Sequence, residues 1–429
     1  MQRFRQAASL ILCLFTVTAA ASDWTGFRGP GGLGVSGETG LAVEWSAQKN
    51  ILWKLPLPGP GASSPVVVGQ RVFVTSYSGY GLNAKEPGEM QELKRHLLCV
   101  DKASGKILWK KEVEPVLPEH KYEGEGSYHG YAASTPTSDG ERLYVFFGKS
   151  GVFCFDLDGK QLWHAIVGKG TNGWGSGASP VLYKNLLIVN ASVESGTMVA
   201  LDKMTGKEAW KTPGISAAWN TPILANPSSP PLSKGGTGGV ELVISIQRRI
   251  KSLNPDTGKE LWNAEGVDRY VCPSVVAHDG IVYAIGGGHT SLAVRAGGQG
   301  DVTKTHGLWR TQKGSNVGSP IYHEGHLYWA SESGGGVHCQ EAATGKFVYS
   351  ERLSPASGRI YASPVLVDGK LYYVSQEHGT YVVAARPKFA QLAHNVIEDD
   401  KSRTNASPAV ADGRFLLRTD RCLYCIGKR

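Results

Sequence analysis

The sequence is poor in charged residues and contains no block of like charge. Charged side chains make up 19% of the 429 residues, and the formal net charge is +8. This weak positive charge is scattered along the chain, which argues against nucleic acid as a partner. It supports at most a weak preference for anionic surfaces.

Long hydrophobic runs are also absent, with one exception near the start. The run from Ala7 to Val17 is too short to span a bilayer. It follows two arginines and precedes three alanines, which is typical of a secretory signal peptide. We therefore predict a signal peptide over residues 1–21, no transmembrane segment, and a periplasmic or secreted protein. A lipoprotein signal at Cys13 is the weaker alternative, because Leu12 is large where a small residue is preferred.

Signatures of common catalytic and metal sites are missing too. No Gly-x-Ser-x-Gly elbow occurs, and Gly148-Lys149-Ser150 lacks the upstream glycine of a phosphate-binding loop. Cys422 and Cys425 form a C-x-x-C pair, but no second pair of zinc ligands lies nearby and no histidine follows for haem attachment. We predict that the cysteines are buried small residues, with a disulfide at Cys422 or a metal site as the alternatives.

What the sequence does contain is a repeat. Eight segments open with a proline after small residues, and an apolar strand, a turn that usually contains glycine, and a second strand follow each proline. The prolines are Pro65, Pro136, Pro180, Pro222, Pro273, Pro320, Pro364 and Pro408. Alternating strands joined by tight glycine turns predict antiparallel hairpins.

A third strand, a Gly-Lys turn and a fourth strand with an aromatic residue complete most repeats. Four strands with a period of about 40–50 residues are typical of a β-propeller blade. We therefore predict an all-β, eight-bladed propeller over residues 22–429, with four-stranded antiparallel blades. The aromatic residues predicted to dock on neighbouring blades are Trp53, Trp109, Trp163, Trp210, Trp262 and Tyr349.

One small residue recurs in the third strand of every repeat, which predicts a tight packing layer between blades. These residues are Cys99, Cys154, Ala200, Ser252, Ala293, Cys339, Ala384 and Cys425. The eighth repeat lacks a fourth strand, whereas Ile51–Lys54 repeats the four residues Ile107–Lys110. We predict that the N-terminal strand completes the C-terminal blade, because an open sheet edge invites aggregation.

The third strand, turn and fourth strand resemble the docking repeat of the pyrroloquinoline quinone (PQQ) propellers. The match is best at Ala200, Asp202, Thr205, Gly206, Lys207 and Trp210. The PQQ-like repeat superfamily includes quinoprotein alcohol dehydrogenases and non-enzymatic propellers such as the lipoprotein B subunit of the outer-membrane β-barrel assembly machinery. The motif is structural, so the resemblance implies a fold and not a function. The segment Asp23–Ser36 resembles the lead-in of secreted PQQ-like proteins, and we expect it on the propeller rim.

Polar and aromatic residues precede the opening prolines, where we expect the mouth of the channel. A concave mouth with converging polar groups is the default place for a ligand. The candidate binding residues are Tyr131, Trp174, Trp219, Asn220, Asp268, Tyr270, Asn316, Arg359, Tyr361, Arg403 and Asn405. Two long insertions, Tyr77–His96 and Glu114–Gly130, should rise on the same face, whereas Asn226–Gly239 is predicted to be a flexible insertion on the opposite face. The alternative is that the mouth residues only satisfy backbone groups and fill the channel.

Three functions remain open on the sequence alone. The leading hypothesis is a non-catalytic, monomeric scaffold without a cofactor that binds an envelope or extracellular protein, peptide or glycan at the mouth. The second is a PQQ-dependent oxidoreductase with Ca²⁺, in which Trp174 or Trp219 stacks on the quinone, Arg359 polarises it, and Asp268 or Glu123 is the base. The resemblance implies a pair of adjacent cysteines for such enzymes, which this chain lacks. The third is a hydrolase or lyase that uses carboxylates.

Overall fold

Short strands joined by tight turns build the chain. A computed structural model describes residues 23–124, 126–227, 239–269, 271–287 and 290–428. The predicted signal peptide and most of the predicted flexible insertion lie outside the described residues. Eight antiparallel sheets contain four strands each in chain order, apart from the strand that closes the ring, and this confirms the eight-bladed propeller. Among the described residues, no helix is both long and apolar enough to cross a bilayer.

The blades are numbered along the chain, and their strands are named inner, second, third and outer. Blades 1 to 4 comprise Val66–Val68, Arg71–Ser78, Lys94–Asp101 and Ile107–Val113; Thr137–Ser138, Arg142–Phe146, Val152–Asp156 and Gln161–Ala165; Val181–Tyr183, Leu186–Ala191, Thr197–Asp202 and Glu208–Pro213; Ile223–Ala225, Glu241–Ile246, Arg249–Leu253 and Glu260–Glu265. The inner strands of neighbouring blades contact each other and so surround the central channel.

Blades 5 to 8 follow the same order. They comprise Val276–His278, Ile281–Gly286, Thr290–Arg295 and Gly307–Thr311; Ile321–His323, His326–Ala330, Gly336–Glu341 and Phe347–Arg352; Val365–Val367, Lys370–Val374, Thr380–Ala384 and Gln391–Asn395; Ala409–Ala411, Arg414–Arg418, Cys422–Ile426 and Ile51–Pro56. Two further short strands, Val35–Ser36 and Gly300–Asp301, pair in parallel with blades 7 and 4. The short helices are Gly126–His129, Ser192–Ser195 and Thr303–His306, with 3₁₀ turns at Pro30–Gly32, Met90–Glu92 and Gly148–Ser150.

Ring closure follows the prediction from the repeated Ile-Leu-Trp-Lys. The strand Ile51–Pro56 pairs antiparallel with Cys422–Ile426 and becomes the outer strand of blade 8. Trp53 lies opposite Cys425, as Trp109 lies opposite Cys99 in blade 1. Cys422 and Cys425 are both buried, and neither is in a disulfide.

The predicted docking tryptophans bridge neighbouring blades through their indole N–H groups. Trp53, Trp109, Trp163 and Trp210 donate to the backbone oxygens of Lys102, Leu157, Lys203 and Pro255 at distances of 2.9, 3.0, 3.1 and 3.1 Å. Each indole lies on a turn glycine of the next blade. A Cβ atom added at Gly206 would come within 2.6 Å of the Trp163 ring, and Gly206 has a φ of +73°. The Gly-Lys turn is therefore the socket for the neighbouring tryptophan.

Blades 4 and 6 depart from this pattern, whereas blade 5 keeps it through Trp309. In blade 5 the segment Ala296–His306 takes the place of the Gly-Lys turn. The Trp262 indole N–H in blade 4 donates instead to the Glu241 carboxylate of its own blade, at 2.7 Å. Tyr349 packs edge-on against Phe389 at 5.7 Å between ring centroids. Trp309, which the repeat comparison did not select, donates to the backbone oxygen of Ala342 in blade 6 at 2.8 Å.

Two positions of the predicted register are wrong. In blade 5 the strand starts at Val276, so Val275 stands where the other blades have proline, and Pro273 lies two residues earlier. In blade 7 Val382, not Ala384, occupies the packing-layer position, because it lies opposite Ala393 in the outer strand. Blade 5 lacks the proline at its strand start, and blade 7 lacks the aromatic residue of the outer strand, so neither repeat could be aligned correctly from the sequence.

The missing aromatic residue of blade 7 is supplied from elsewhere in the chain. The Trp45 ring lies 6.3 Å from Tyr372 in blade 7 and 5.4 Å from Phe415 in blade 8, measured between centroids. The 6.3 Å separation is close to the 5.9 Å between Phe73 and Trp109 in blade 1. The backbone N–H of Trp45 donates to the side-chain oxygen of Asn395 at 2.9 Å. Trp45 thus fills the docking position that Ala393 leaves vacant.

The lead-in segment crosses the channel, and the prediction that it packs on the rim is wrong. Trp24 exchanges two backbone hydrogen bonds of 3.0 and 2.9 Å with Val67 in the inner strand of blade 1. The Arg28 side chain donates to the backbone oxygen of Pro320 beside blade 6, and Val35–Ser36 pairs with the inner strand of blade 7. We call Trp24–Ser36 the plug, because it runs through the channel from blade 1 to blades 6 and 7.

Candidate functional site

A ring of hydroxyl side chains marks the mouth, which is the end of the channel where the inner strands begin. Its members directly precede the opening position of each blade: Ser64, Thr135, Ser179, Thr221, Ser274, Ser319, Ser363 and Ser407. From blade 1 to blade 8 each backbone N–H donates to the hydroxyl of the next blade at 2.9–3.1 Å. Between blades 8 and 1 the ring is open, since the buried Ser64 hydroxyl has no hydrogen-bond partner among the described residues. These small residues before the prolines therefore bind neighbouring blades together.

The second predicted insertion covers the mouth. We call Glu114–Gly130 the mouth insertion, and its helix Gly126–His129 reaches blades 7 and 8. The Arg359 and Arg403 guanidinium carbons lie 4.9 and 4.8 Å from the centre of the Tyr128 ring. Asn405 donates through its side-chain amide to the Tyr128 backbone oxygen. Cation–π contacts and this hydrogen bond anchor the insertion on the far side of the ring.

Tyr361 completes this contact surface. Its ring lies 6.1 Å from Tyr128 and 5.8 Å from His129, measured between centroids. Burial, together with electrostatic repulsion from His120 and Arg403, lowers the pKa of His129 to about 4. A neutral His129 packs beneath Tyr361 without adding charge to the arginines. The structure thus brings the predicted residues Arg359, Tyr361, Arg403 and Asn405 together, around a segment of the protein itself.

Trp174, Trp219 and Asn220 form a second group, on blades 3 and 4. The two indole rings lie 5.5 Å apart, and the Trp219 indole N–H donates to the backbone oxygen of Gly175 at 2.8 Å. Asn220 is buried and donates to the backbone oxygens of Ser245 and Val271 at 2.7 and 3.0 Å. Asn220 therefore links blade 4 to the segment that leads into blade 5.

Other predicted residues lie apart from both groups. Asp268 is exposed, and its carboxylate lies 3.7 Å from the Arg310 guanidinium. Asn316 donates from its backbone and its side chain to Glu332, at 3.2 and 3.1 Å. Tyr270 lies outside the described residues. Neither Asp268 nor Asn316 contributes to the contacts that hold the mouth insertion.

Tyr131 lies below the mouth insertion in a buried charged network that sequence reasoning missed. Its hydroxyl donates to the backbone oxygen of His120 at 2.9 Å, and its backbone oxygen accepts from Arg95 at 2.9 Å. Arg95 also pairs with Glu119 at 2.6 Å, and both side chains are almost fully buried. The Arg95 and His120 charges and hydrogen bonds outweigh the desolvation that would raise the pKa of Glu119, so that pKa is below its ordinary value. The pair fixes the base of the insertion to the third strand of blade 1.

Two further carboxyl groups lie near the mouth, the buried Glu194 and the half-buried Asp420. Ser176 donates to Glu194, whose pKa burial raises to about 7. Burial likewise raises the pKa of Asp420 to about 6, although Arg418 and Arg403 counteract the shift. Arg418 is buried and donates to the backbone oxygen and the hydroxyl of Ser63, at 3.0 and 2.7 Å. In the sequence, these groups were visible only as charged residues inside or beside a strand. Such residues are usually exposed to solvent, so the pattern did not predict their burial.

The residues at the mouth do not fit PQQ with Ca²⁺. Tyr128 occupies the space beside Arg359, the residue predicted to polarise the quinone, whereas the predicted stacking residues Trp174 and Trp219 belong to the other group. The described residues contain no group of three histidine, cysteine, aspartate or glutamate side chains placed to hold a metal ion. Asp268, a candidate base, is distant from this group and pairs with Arg310. We therefore derive no step through a quinone.

Comparison with known proteins agrees with the fold. A family model described as outer membrane protein assembly factor BamB matches residues 90–287 and 247–423. The chain is 26% identical over 367 residues to the outer membrane protein assembly factor BamB of Burkholderia pseudomallei, which covers 74% of this chain and 83% of the relative.

Two solved structures show the same architecture. BamB from Moraxella catarrhalis has a TM-score of 0.60 at 13% identity, with 88% of this chain and 97% of that chain covered. The quinohemoprotein alcohol dehydrogenase from Comamonas testosteroni has a TM-score of 0.61 at 11% identity, with coverages of 95% and 81%. At these identities the likeness concerns the fold alone, whereas the family match extends over most of the chain. The protein therefore belongs to the PQQ-like repeat propeller family described as outer membrane protein assembly factor BamB.

Proposed function

We propose that the protein is a non-catalytic scaffold of the cell envelope that binds another polypeptide through its mouth face. The observation that carries the proposal is the mouth insertion, which lies over the channel entrance and is anchored there through Tyr128. Five of the predicted binding residues contact this insertion: Tyr131, Arg359, Tyr361, Arg403 and Asn405. Such a surface suits docking of a protein better than capture of a small substrate.

The mouth face displays apolar side chains on anchored loops. Leu82 is 54% exposed, and Val116 and Leu117 in the mouth insertion are exposed as well. The loop that carries Leu82 is fixed by hydrogen bonds from the Tyr77 hydroxyl to the Gly81 oxygen and between the Gly81 N–H and Pro87 oxygen, at 2.9 and 2.7 Å. Exposed apolar groups on an ordered frame are typical of interaction surfaces.

The relatives indicate the kind of partner. Those in Burkholderia pseudomallei and Yersinia pestis are named outer membrane protein assembly factors. We infer that the partner is a periplasm-facing protein of outer-membrane assembly and that the protein acts in the periplasm. This assignment rests on the family likeness and not on a contact within the structure.

Site-specific photo-crosslinking in cells tests the proposal. A photoreactive residue at position 82 or 117 should link to one envelope protein, identified by mass spectrometry. The control position is Glu324, in the turn between the inner and second strands of blade 6, at the opposite end of the channel. Leu82→Asp combined with Leu117→Asp should abolish the adduct formed from position 116, whereas Leu162→Asp, on an exposed outer strand, should not. Equal crosslinking from all positions would contradict a mouth-face partner.

Calorimetric titration with PQQ, with and without Ca²⁺, tests the oxidoreductase alternative. We expect no saturable binding at high micromolar ligand, because the mouth insertion occupies the site. One-to-one, Ca²⁺-dependent binding that Trp174→Ala or Trp219→Ala removes would overturn the scaffold proposal.

A further inference from the structure

A cavity of about 360 Å³ lies inside the channel, between the plug and the inner strands of blades 3 and 4. Pockets that hold drug-sized ligands have volumes of about 300–1,000 Å³. This cavity is separate from the contacts that hold the mouth insertion, since none of Tyr128, Arg359 and Arg403 lines it. The scaffold function proposed above makes no use of it.

The walls of the cavity combine apolar side chains with uncharged hydroxyl groups. Phe27 of the plug faces Val181 and Leu182 of blade 3 and Ile223 and Leu224 of blade 4. No lining residue among the described parts of the chain carries a charge. A carboxylate or ammonium group entering this space would lose its hydration without gaining an ionic partner, which is strongly unfavourable.

The plug keeps this space open through glycines. Gly31 and Gly32 both line the cavity, with φ values of +64° and +71°, a backbone conformation that side chains disfavour. A Cβ atom at Gly32 would point at Ile223, 3.8 Å from its nearest side-chain atom. The sequence therefore places side-chain-free residues where a side chain would fill the cavity.

Five of the lining residues carry hydroxyl groups: Thr25, Thr137, Ser138, Thr221 and Ser274. The Thr137 and Ser138 hydroxyls donate to the backbone oxygens of Thr25 and Arg142, at 3.2 and 2.6 Å. The Thr221 and Ser274 oxygens instead accept the ring hydrogen bonds from Ser179 and Thr221, at 2.9 and 3.1 Å. A hydroxyl that accepts through oxygen can still turn its hydrogen toward a ligand oxygen. An uncharged, mainly apolar space with hydroxyl donors at the starts of blades 4 and 5 suits a molecule that is apolar except for one neutral oxygen group.

We propose that this axial cavity is a binding site for a neutral, mainly apolar small molecule that carries a hydroxyl or carbonyl oxygen. The ligand packs between Phe27 and the inner strands of blades 3 and 4, and its oxygen meets Thr221 and Ser274. Anionic analogues of the same shape are rejected because no cation lines the cavity.

Fluorescence titration of the folded protein with 2-naphthol and with 2-naphthoate tests both the site and its selectivity. We expect saturable, one-to-one binding of 2-naphthol and at least about tenfold weaker binding of 2-naphthoate. Leu224→Trp should fill the cavity and weaken 2-naphthol binding at least about tenfold, whereas Leu162→Trp, on an exposed outer strand, should leave it unchanged.

Thermal unfolding establishes that each variant is folded. If Leu224→Trp does not fold, Val181→Phe is the second variant that blocks the cavity. The proposal is overturned if 2-naphthol fails to saturate, if 2-naphthoate binds equally well, or if the folded blocking variants bind like the unaltered protein. Crosslinking at the mouth face does not depend on this cavity, so the two proposals can fail separately.

Discussion

Glu194 is a buried carboxyl group at the end of blade 3 with an elevated pKa of about 7, against an ordinary value of 4.5. Between these pH values the folded protein holds a proton that the unfolded chain releases. The stabilising contribution of the protonated group is therefore full below about pH 4.5 and is lost as the pH rises through 7. Desolvation of the carboxylate is the main cause of this loss.

The variant Glu194→Gln, which cannot ionise, should escape this loss. Relative to the unaltered protein, its free energy of unfolding should rise by up to about 3 kcal/mol between pH 4.5 and pH 8. Urea denaturation at both pH values measures the change, with the exposed Glu351→Gln as the control. A difference that is the same at both pH values would refute the buried-carboxyl interpretation.

At the residue scale the sequence located the mouth but not what fills it. Arg359, Tyr361, Arg403 and Asn405 were recognisable because they precede inner strands at regular intervals. Their shared partner, Tyr128, lies more than 200 residues away in an insertion without a repeat to place it. Local pattern cannot reveal such a contact, because it forms only when the ring closes.

The Gly-Lys turn is the element on which neighbouring blades meet. Gly206→Ala should destabilise the protein more than Gly140→Ala, although both positions have positive φ. The Gly140 methyl would meet nothing within 4 Å, whereas the Gly206 methyl would clash with Trp163. Gly140→Ala should cost about 1–2 kcal/mol from backbone strain, and Gly206→Ala about 1–3 kcal/mol more from overpacking. If chemical denaturation showed equal losses in the free energy of unfolding for the two variants, the role of Gly206 as a socket for Trp163 would be contradicted.

Trp45 should matter as much as a tryptophan inside the repeat. Trp45→Ala removes a buried ring between blades 7 and 8 and should lower the free energy of unfolding by about 3–5 kcal/mol. Trp45→Phe should lose less, because an aromatic ring still contacts Tyr372 and Phe415. If Trp45→Ala costs under about 1 kcal/mol, the docking role is wrong.

At the element scale, prediction succeeded where marker residues recur and failed where they are replaced. The predicted register of blade 5 was wrong because it was aligned on Pro273. In the structure Val275, two residues later, holds the position that proline holds in the other blades. Ala393 left blade 7 without a recognisable outer strand, and Trp45 compensates from a position that no repeat spacing would suggest. Strand existence was therefore predictable from periodicity, but register depended on single residues.

At the scale of the whole molecule, the plug connects blades that are far apart around the ring. Arg28 is only 1% exposed, and its guanidinium donates to the Leu33 oxygen at 3.0 Å and to Pro320. Arg28→Ala should cost about 2–4 kcal/mol, from the lost hydrogen bonds and the space left behind. Calorimetry should show a lower unfolding temperature, with the exposed Arg352→Ala nearly unchanged. A change as small as that of the control would mean that the plug is not a structural tie.

The closing strand has a consequence for how the protein is made. Ile51–Pro56 leaves the ribosome about 370 residues before Cys422–Ile426, the strand with which it pairs. The plug likewise pairs with the inner strand of blade 7, which follows it in the sequence by more than 300 residues and is therefore made much later. Forming contacts between such distant segments requires closing a very long loop, and the entropy lost in closing it opposes their formation before they stabilise the fold. Such contacts therefore slow folding. The closing strand and the plug are therefore among the last segments to reach their final positions, and they stay accessible to chaperones and proteases until blades 7 and 8 have been made.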